Sequence, residues 1–244
     1  MPRFFTSSEV LRDGDSSFVI TGDDAHHISR SLRMRVGEAL TLCDGCGTDY
    51  QCEISEITQG QVNLSILSEE KNLTEPPYEA TVYQALVKGD KFDTVIQKSV
   101  ECGATKIVPL ITSRCTVKFD PADYKKKCDR YSRIAEEAAK QCGRGIIPRV
   151  ELPVTFKQLV AGVDDGTNVL FCYEKGNVPL KSVVESAKGN RFAIIIGPEG
   201  GFSEEEADAL GSVGVRPVSL GPRILRTESA APFVLASLSY ALED

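Results

Sequence analysis

The stretch IIIGPEGGFSEEE, residues 194–206, decides the fold of this chain because it joins an apolar strand to a helix through a glycine-rich turn. Loops that bind nucleotide phosphates have this order of elements. The glycines, however, do not have the GxGxxG or GxxxxGK spacing, so neither a dinucleotide nor a triphosphate is indicated. Ser203 and Glu206 have the spacing of a capping box, which occupies the helix-end amides that a phosphate would need.

The acidic first turn, Glu204 to Glu206, suits the helix dipole and repels an anion, so the ligand of this loop is predicted to be neutral or cationic. Gly197, Gly200 and Gly201 are expected to take positive φ values and to let the backbone approach that ligand. S-adenosylmethionine, a sulfonium cofactor, meets this condition. The alternative is that GPEGG is only a connection between a strand and a helix.

A second loop, SLGPRILRTESAAP at residues 219–232, favours a ligand site over a simple connection. It again places glycine and proline after a strand, and one helix separates it from the first loop. Ligands of parallel sheets lie beyond the carboxyl ends of the strands. The two loops are therefore predicted to form one cleft.

The pattern outside these loops divides the chain at EEKNLTEPPY, residues 69–78, where two prolines interrupt regular structure. After it, apolar runs alternate with amphipathic segments, which predicts an α/β domain with a mostly parallel sheet. Before it, short alternating segments predict a small β-barrel with one helical stretch, DDAHHISRSLRM. We expect a barrel domain at residues 1–72 and an α/β domain at residues 73–244.

Composition excludes several classes of protein. No apolar run approaches the ~18 residues of a membrane span, and MPRFFTSSEV lacks the apolar core of a signal peptide, so no membrane partner and a cytoplasmic location are expected. The eight cysteines are expected to be reduced. The one CxxC, Cys43 to Cys46, is centred on Asp44-Gly45, a hairpin-turn signal. His26 and His27 are adjacent and lack a third ligand, so no metal is predicted.

The charge distribution is compatible with a nucleic-acid partner although the net charge is −7. Residues 1–70 carry 5 basic and 12 acidic side chains, whereas residues 114–149 carry ten basic and five acidic ones. Attraction to a phosphate backbone depends on charges within a Debye length of ~8 to 10 Å. The alternative is a solvated helix face with pairs at helical spacing, such as Glu136 with Lys140.

Taken together, IIIGPEGGFSEEE and LGPRILRTESA resemble the RsmE family of SPOUT-class ribosomal RNA small-subunit methyltransferases, which methylate uracil at ring nitrogen 3. The likeness extends over essentially the whole chain. It includes RFF at 3–5, HHISRSLRMRVGE at 26–38, KGDKFDTVIQKSVECGATKIVPL at 88–110 and RIAEEAAKQCGR at 133–144.

The resemblance implies an amino-terminal PUA-like barrel, an α/β domain with a deep trefoil knot, and a homodimer. It also implies that S-adenosylmethionine is the cofactor and 16S ribosomal RNA within the small subunit the substrate. By position in the motifs, the expected cofactor-binding residues are Phe171, Cys172, Tyr173, Gly197, Pro198, Glu199, Gly200, Leu220, Gly221, Ile224, Leu225 and Arg226.

Methylation of an imide nitrogen requires an oriented ring, stabilisation of developing negative charge and loss of a proton. Arg226 is the expected partner of a uracil carbonyl, because a guanidinium stays charged and presents a planar fork. Glu228 or Glu199 is the expected proton acceptor. The alternative for Arg226 is an ion pair with Glu228. The expected RNA-binding residues are Arg3, Arg30, Arg33, Arg35, Lys88, Lys91, Lys125, Lys126, Arg130 and Arg144.

Two other functions remain open from the sequence. One is a SPOUT methyltransferase that acts on another base or on ribose, and the other is a non-catalytic RNA-binding factor for ribosome assembly. The sequence does not distinguish the proton acceptor or identify the assembly state of the ribosomal substrate.

Overall fold

The computed structural model describes residues 1–6, 14–117 and 119–243, and contacts divide it into two compact units. The first unit contains residues 1–75 and 139–147, and the second contains residues 76–138 and 148 onwards. Because contacts alone define these units, the domain boundary between residues 72 and 73 stays a prediction. Lys118, one of the ten basic residues between positions 114 and 149, lies outside the described residues.

The first unit is built on a five-stranded sheet with the strand order β1-β3-β4-β5-β2. Neighbouring strands are antiparallel except β1 and β3, which are parallel. Its elements are β1 (Arg3–Phe5), β2 (Ser17–Thr21), α1 (Gly22–His26), a π-helix (His27–Ser31), β3 (Ala39–Cys43), β4 (Thr48–Thr58) and β5 (Gln61–Lys71). The alternating segments predicted a β unit here, and the predicted helical stretch lies at residues 22–31.

Apolar side chains from the sheet and the helical stretch form one core in this unit, including Ile28, Leu40, Ile54 and Leu64. These residues are fully buried: Ile28 comes from the π-helix, and Leu40, Ile54 and Leu64 come from β3, β4 and β5. The Asp44-Gly45 turn is also confirmed.

The turn joins β3 to β4, and Gly45 has a φ of 72°. The Asp44 carboxylate accepts hydrogen bonds from the amides of Cys46 (2.7 Å) and Thr48 (2.9 Å). Asp44 therefore closes the turn by bonding to the backbone that follows it.

The second unit is built on a parallel sheet with the order β11-β13-β10-β12-β6-β7-β8, and β9 pairs with β7. Every strand pair in it is parallel. Its strands are β6 (Glu79–Ala85), β7 (Lys106–Ile111), β8 (Arg149–Val150), β9 (Val154–Thr155), β10 (Asn168–Cys172), β11 (Val178–Pro179), β12 (Arg191–Ile196) and β13 (Pro217–Ser219). Its helices are α2 (Lys91–Glu101), α3 (Pro121–Cys142), α4 (Phe156–Ala161), α5 (Leu180–Glu185), α6 (Glu204–Ser212) and α7 (Thr227–Leu242).

The alternation of strands and helices therefore gives the mostly parallel α/β sheet that the sequence predicts. β12 is buried along five of its six residues, as expected for a strand covered on both faces. The last helix, α7, begins at Thr227, within the second glycine-containing segment.

The sequence analysis missed α4, although its signal is present. The Thr155 hydroxyl and the Gln158 side chain form a reciprocal capping box at the start of this helix. It also missed β8, β9 and β11, which have two residues each and are too short to show a period.

The carboxyl ends of three neighbouring strands bring the glycine-containing loops together. Cys172, at the end of β10, lies beside Ile196 of β12 and Val218 of β13. The loops that follow these strands therefore leave the sheet at one edge.

Candidate active site

A cavity of about 600 Å³ lies at this edge of the second unit. Three segments form most of its wall: residues 172–174 after β10, residues 196–202 after β12, and residues 219–228 after β13. Lys91, from the start of α2, and Ala230 complete the lining. The two glycine-containing loops thus contribute to one cleft, as the sequence predicts.

The first loop uses its glycines differently from the prediction. Only Gly201 has a positive φ, of 66°, and its amide donates to the Pro198 carbonyl at 2.9 Å, which closes a turn. The positive φ expected for Gly197 and Gly200 was wrong. At Gly197 the constraint is space, because a Cβ would lie 3.0 Å from the Phe202 ring.

The amino terminus of α6 is closed by the predicted capping box. The Ser203 hydroxyl accepts from the Glu206 amide (3.2 Å), and the Glu206 carboxylate accepts from the Ser203 amide (2.9 Å). The second oxygen of Glu206 accepts from the Ser113 amide at 2.7 Å. These contacts and the acidic first turn make the helix end a poor site for a phosphate.

Glu199 on the same loop is held by Lys91, whose Nζ lies 2.8 Å from Glu199 Oε1. Partial burial by itself raises the pKa of Glu199, but hydrogen bonds from Lys91 and from backbone amides outweigh it, so the pKa lies below its usual value. Glu199 is therefore a carboxylate that stays ionised and binds protons weakly.

The second loop places charged groups at the cavity wall without pairing them. Among the described residues the structure shows no ion pair between Arg226 and Glu228, so the alternative role expected for Arg226 is not observed. Arg226 is the N-cap of α7, and its carbonyl accepts from the Ser229 amide at 2.9 Å. Arg223, which the sequence analysis did not select, also lines the cavity and is exposed.

The structure brings together all but one of the expected cofactor-binding residues at this cavity. The exception is Phe171, whose buried ring lies beneath it, stacked on Tyr173 at 5.6 Å and edge-on to Phe202 at 5.0 Å. Cys172 lines the cavity, but burial raises its pKa to about 12, so its thiol stays protonated. The three expected catalytic residues, Arg226, Glu228 and Glu199, line the same cavity.

Three of the five expected RNA-binding residues in the first unit are exposed: Arg30, Arg33 and Arg35. They follow or lie within the π-helix, and Arg33 has a φ of 56°, which side chains other than glycine rarely adopt. π-helical turns are frequent at functional sites. No signal in the sequence predicted this backbone geometry.

Arg3 and Arg144 do not belong with these exposed arginines. The Arg3 guanidinium donates to both oxygens of Asp49, at 2.5 and 2.7 Å. Arg144 is 3% exposed and donates to both oxygens of Glu75. We correct these two assignments: the Arg144 guanidinium is buried, the Arg3 guanidinium is partly buried, and both are held in bidentate pairs that leave few donors for a phosphate.

The five expected RNA-binding residues of the second unit lie at its surface or at the cavity. Lys88, Lys125 and Lys126 are exposed. Arg130 pairs with Asp93 and Asp90 across from α2. Lys91 is partly buried and pairs with Glu199, so it acts at the cavity wall.

No group of three or more His, Cys, Asp and Glu side chains within the described residues is arranged to hold a metal ion. None of the eight cysteines, all of which lie within the described residues, forms a disulfide. No helix among the described residues has the length and apolar character needed to cross a bilayer.

Comparison with known proteins gives the following similarities. A family described as an RNA methyltransferase domain matches residues 74–239, and one described as an RNA methyltransferase PUA domain matches residues 20–67. The chain is 35% identical over 233 residues to ribosomal RNA small subunit methyltransferase E of Bacillus subtilis, covering 93% of this chain and 91% of the relative. It is 33% identical to the Synechocystis protein of the same name, covering 94% of this chain and 75% of that one.

A solved structure is similar over nearly the whole length. The crystal structure of ribosomal RNA small subunit methyltransferase E from Neisseria gonorrhoeae, bound to S-adenosylmethionine, aligns with a TM-score of 0.87 and 28% identity. The alignment covers 98% of this chain and 97% of that one.

Proposed function

Because this chain belongs to the ribosomal RNA small subunit methyltransferase E family, we propose that it methylates ring nitrogen 3 of a specific uridine in 16S ribosomal RNA, with S-adenosylmethionine as methyl donor. The observation that carries the proposal is the cavity at the carboxyl edge of the parallel sheet. Two glycine-containing loops line it, and its helix end is closed to phosphate by the Ser203 and Glu206 capping box.

The cavity suits this cofactor in size and chemistry. Its volume of about 600 Å³ is in the range of small-molecule sites, roughly 300–1,000 Å³. Ile196, Leu220 and Leu225 offer apolar contacts to an adenine ring, and the carboxylates of Glu174 and Glu199 favour a cation over an anion. The bound cofactor would supply the methyl group to the uracil.

Arg226 is the residue we assign to the uracil carbonyl. Its guanidinium lines the cavity without an ion-pair partner among the described residues, so all of its donors are available to the substrate. A fixed cation at this position stabilises the negative charge that develops on the ring oxygen when the imide proton is lost.

Glu228 is the proton acceptor that we favour over Glu199. Both line the cavity, but Glu199 forms an ion pair with Lys91. Burial raises the pKa of Glu199, but hydrogen bonds from Lys91 and from backbone amides outweigh this effect, so the pKa lies below its usual value. A carboxylate with a lowered pKa is a weaker base. Glu228 has no such partner among the described residues, so its oxygens are free to accept a proton from the substrate.

The RNA contacts we propose are the exposed basic residues of each unit. In the first unit they are Arg30, Arg33 and Arg35, and in the second unit they are Lys88, Lys125, Lys126 and Arg130. We assign the PUA-like RNA-binding domain to residues 1–72 and the methyltransferase domain to residues 73–244, in line with the two family matches.

Three further properties of the family's fold and assembly are part of the proposal. We propose that the chain forms a trefoil knot. This agrees with the path of the chain after β13, which lies on one side of β10, to α7, which packs against α2 and against β12 and β6 on the other side of β10. A homodimer is proposed because Phe233 and Tyr240 expose apolar surface on α7. Since the substrate is a ribosomal subunit, the site of action is proposed to be the cytoplasm.

The test is to incubate the purified protein with S-adenosylmethionine and small ribosomal subunits that lack the modification. The RNA is digested to nucleosides, and methylated uridines are separated by mass spectrometry. We expect 3-methyluridine that depends on both cofactor and protein. A different methylated nucleoside would keep the cofactor site but overturn the base, and cofactor binding without any methylated nucleoside on several assembly intermediates would favour an RNA-binding assembly factor.

A further inference from the structure

Gln84 is a buried polar side chain that no function described so far uses. It lies near the end of β6, beside Ile196 of β12, and is fully buried. A neutral amide is costly to bury unless it is hydrogen-bonded. Its contacts therefore indicate what it does in the fold.

The amide of Gln84 is linked to the glycine loop through one hydroxyl group. Gln84 Nε2 donates to Thr227 Oγ1 at 2.8 Å, and Thr227 Oγ1 donates to the Gly197 carbonyl at 2.6 Å. The second proton of Gln84 Nε2 points to the Ala85 carbonyl at 3.2 Å. A chain of hydrogen bonds thus runs from β6 through the first residue of α7 to the start of the first cavity loop.

The direction of this chain is determined by the single proton of the hydroxyl. Because Thr227 gives that proton to Gly197, it can only accept from residue 84, so the amide must present its nitrogen. The reverse amide orientation would place two acceptors against each other. Gln84 Oε1 consequently has no hydrogen-bond partner among the described residues, which shows that the orientation is set by Thr227 and not by the surroundings of the oxygen.

Thr227 stands between the two residues that we assign to the chemistry, Arg226 and Glu228. Gly197 lines the same cavity, at the start of the loop proposed to hold the cofactor. The hydrogen-bond chain therefore sets the separation between the cofactor loop and the substrate-facing side chains. Methyl transfer requires these partners in line, and a displacement of about 1 Å costs about 10²-fold in rate.

We propose that Gln84 and Thr227 are positioning residues that hold the start of α7 against the Gly197 loop, and thereby align the cofactor with the target base. The inference rests on the proposed function for its effect on methyl transfer. Its structural part, the coupling of the two loops, concerns the protein alone.

The test uses a pair of variants at one position. Thr227→Val keeps the size and branching of the side chain but removes the hydroxyl, whereas Thr227→Ser keeps the hydroxyl. Gln84→Met removes the amide at similar length. Ser99→Ala is the matched control, since Ser99 is a buried polar residue of α2 whose hydroxyl has no partner among the described residues.

The first readout is hydrogen–deuterium exchange of residues 196–203 in the protein without cofactor. We expect exchange in Thr227→Val and Gln84→Met to be about tenfold faster than in the native protein, since opening of the loop becomes easier. Thr227→Ser and Ser99→Ala should match the native protein. Equal protection of the loop in Thr227→Val and Thr227→Ser would overturn the proposal.

The second readout is kcat for RNA methylation at saturating cofactor, with cofactor Kd measured by calorimetry. Thr227→Val should lose about 10²-fold in kcat, and Thr227→Ser should remain within about threefold of native. The kcat of the double variant, Gln84→Met with Thr227→Val, should be no lower than that of the poorer single variant, because both substitutions break the same chain of hydrogen bonds. Additive losses in kcat would overturn the proposal.

Failure of the proposed function gives a different result. If the native protein neither binds S-adenosylmethionine nor methylates RNA, the function is wrong, and loop exchange still decides the role of Gln84 and Thr227. If the native protein is active and Thr227→Val has native kcat and native loop exchange, the function stands and the positioning role is wrong.

Discussion

At the scale of single residues, the fork of Arg226 is the feature that distinguishes it from a simple positive charge. Arg226→Lys keeps the charge but removes the planar pair of donors, so we expect kcat to fall about 10- to 100-fold. Cofactor Kd, measured by calorimetry, should change less than about threefold. Arg216→Lys makes the same replacement at an exposed arginine outside the cavity and should leave kcat unaltered. Normal turnover in Arg226→Lys would remove Arg226 from the chemistry.

The two carboxylates of the cavity are expected to respond differently to amide replacement. Glu228→Gln removes the proposed proton acceptor, so kcat should fall about 10²-fold or more. Glu199→Gln breaks the pair with Lys91, and it should weaken cofactor binding while kcat at saturation changes less than about threefold. The measurement is kcat and cofactor Kd from pH 6 to 9 for both variants. The reverse pattern would make Glu199 the acceptor.

At the scale of elements, the pair of Arg3 and Asp49 connects two strands of the first sheet that are separated by β3, because Arg3 lies on β1 and Asp49 on β4. Desolvation raises the pKa of Asp49, but hydrogen bonds from Arg3 and Asn72 outweigh it, so the folded-state pKa is lowered. A lowered folded-state pKa means that the stabilisation is present above the unfolded-state value, about 3.9, and is lost as pH falls through the folded-state value.

Asp49→Asn leaves the partly buried Arg3 guanidinium without its partner, and we expect it to lower the free energy of unfolding by about 2 kcal/mol at pH 7. The difference from the native protein should shrink below pH 4, because the unfolded state of the native protein then binds a proton at Asp49 that the folded state does not. Urea denaturation at pH 7 and pH 3 measures both values. Glu53→Gln, at an exposed position of β4, is the control and should change the free energy by less than about 0.5 kcal/mol. A difference independent of pH would contradict this account.

Elements with strong local signals could be predicted from the sequence, and long-range pairings could not. The apolar run of β12 and the Ser203 and Glu206 capping box are local patterns, so the strand, the turn and α6 were correctly predicted. The bidentate pairs of Arg3 and Arg144 depend on partners 46 and 69 residues away, which no local pattern indicates. The π-helix and the positive φ of Arg33 likewise have no local pattern in the sequence that indicates them.

The cavity was predicted in the same partial way. Its two loops were recognisable because glycine and proline follow apolar strands. Lys91 and Gln84 reach the region from other elements and were not connected to it by sequence reasoning, since only the strand order brings β6 and α2 beside β12.

At the scale of the whole molecule, a protein with a net charge of −7 must bind RNA through local charge. We expect RNA affinity to fall steeply with salt, and Arg30→Gln, Arg33→Gln and Arg35→Gln should each reduce the slope of log K against log salt by about one. Binding to small-subunit RNA between 50 and 250 mM salt, roughly, measures the slope. Arg216→Gln is the control at an exposed arginine outside the proposed RNA contacts. If the slopes of all three variants equal that of the native protein, Arg30, Arg33 and Arg35 do not contact phosphate groups of the RNA.

The proposed homodimer makes a prediction from the surface of α7. Phe233 and Tyr240 lie seven residues apart on one face of this helix, with Ala236 between them, and are 40% and 92% exposed. An apolar stripe of this kind is self-complementary when two copies are related by a two-fold axis. Tyr240→Glu places a charge within that apolar stripe, so it should shift the protein from dimer to monomer.

Sedimentation equilibrium at micromolar concentrations measures the change in assembly. Val213→Glu adds the same charge at an exposed apolar residue outside α7 and should leave the dimer intact. Because the Tyr240 side chain is almost fully exposed, its replacement should not alter the free energy of unfolding of the monomer by more than about 0.5 kcal/mol. If Tyr240→Glu dissociates the dimer and Val213→Glu does not, the interface lies on α7. A native protein that is already monomeric, or a Tyr240→Glu variant that remains dimeric, contradicts the proposed interface.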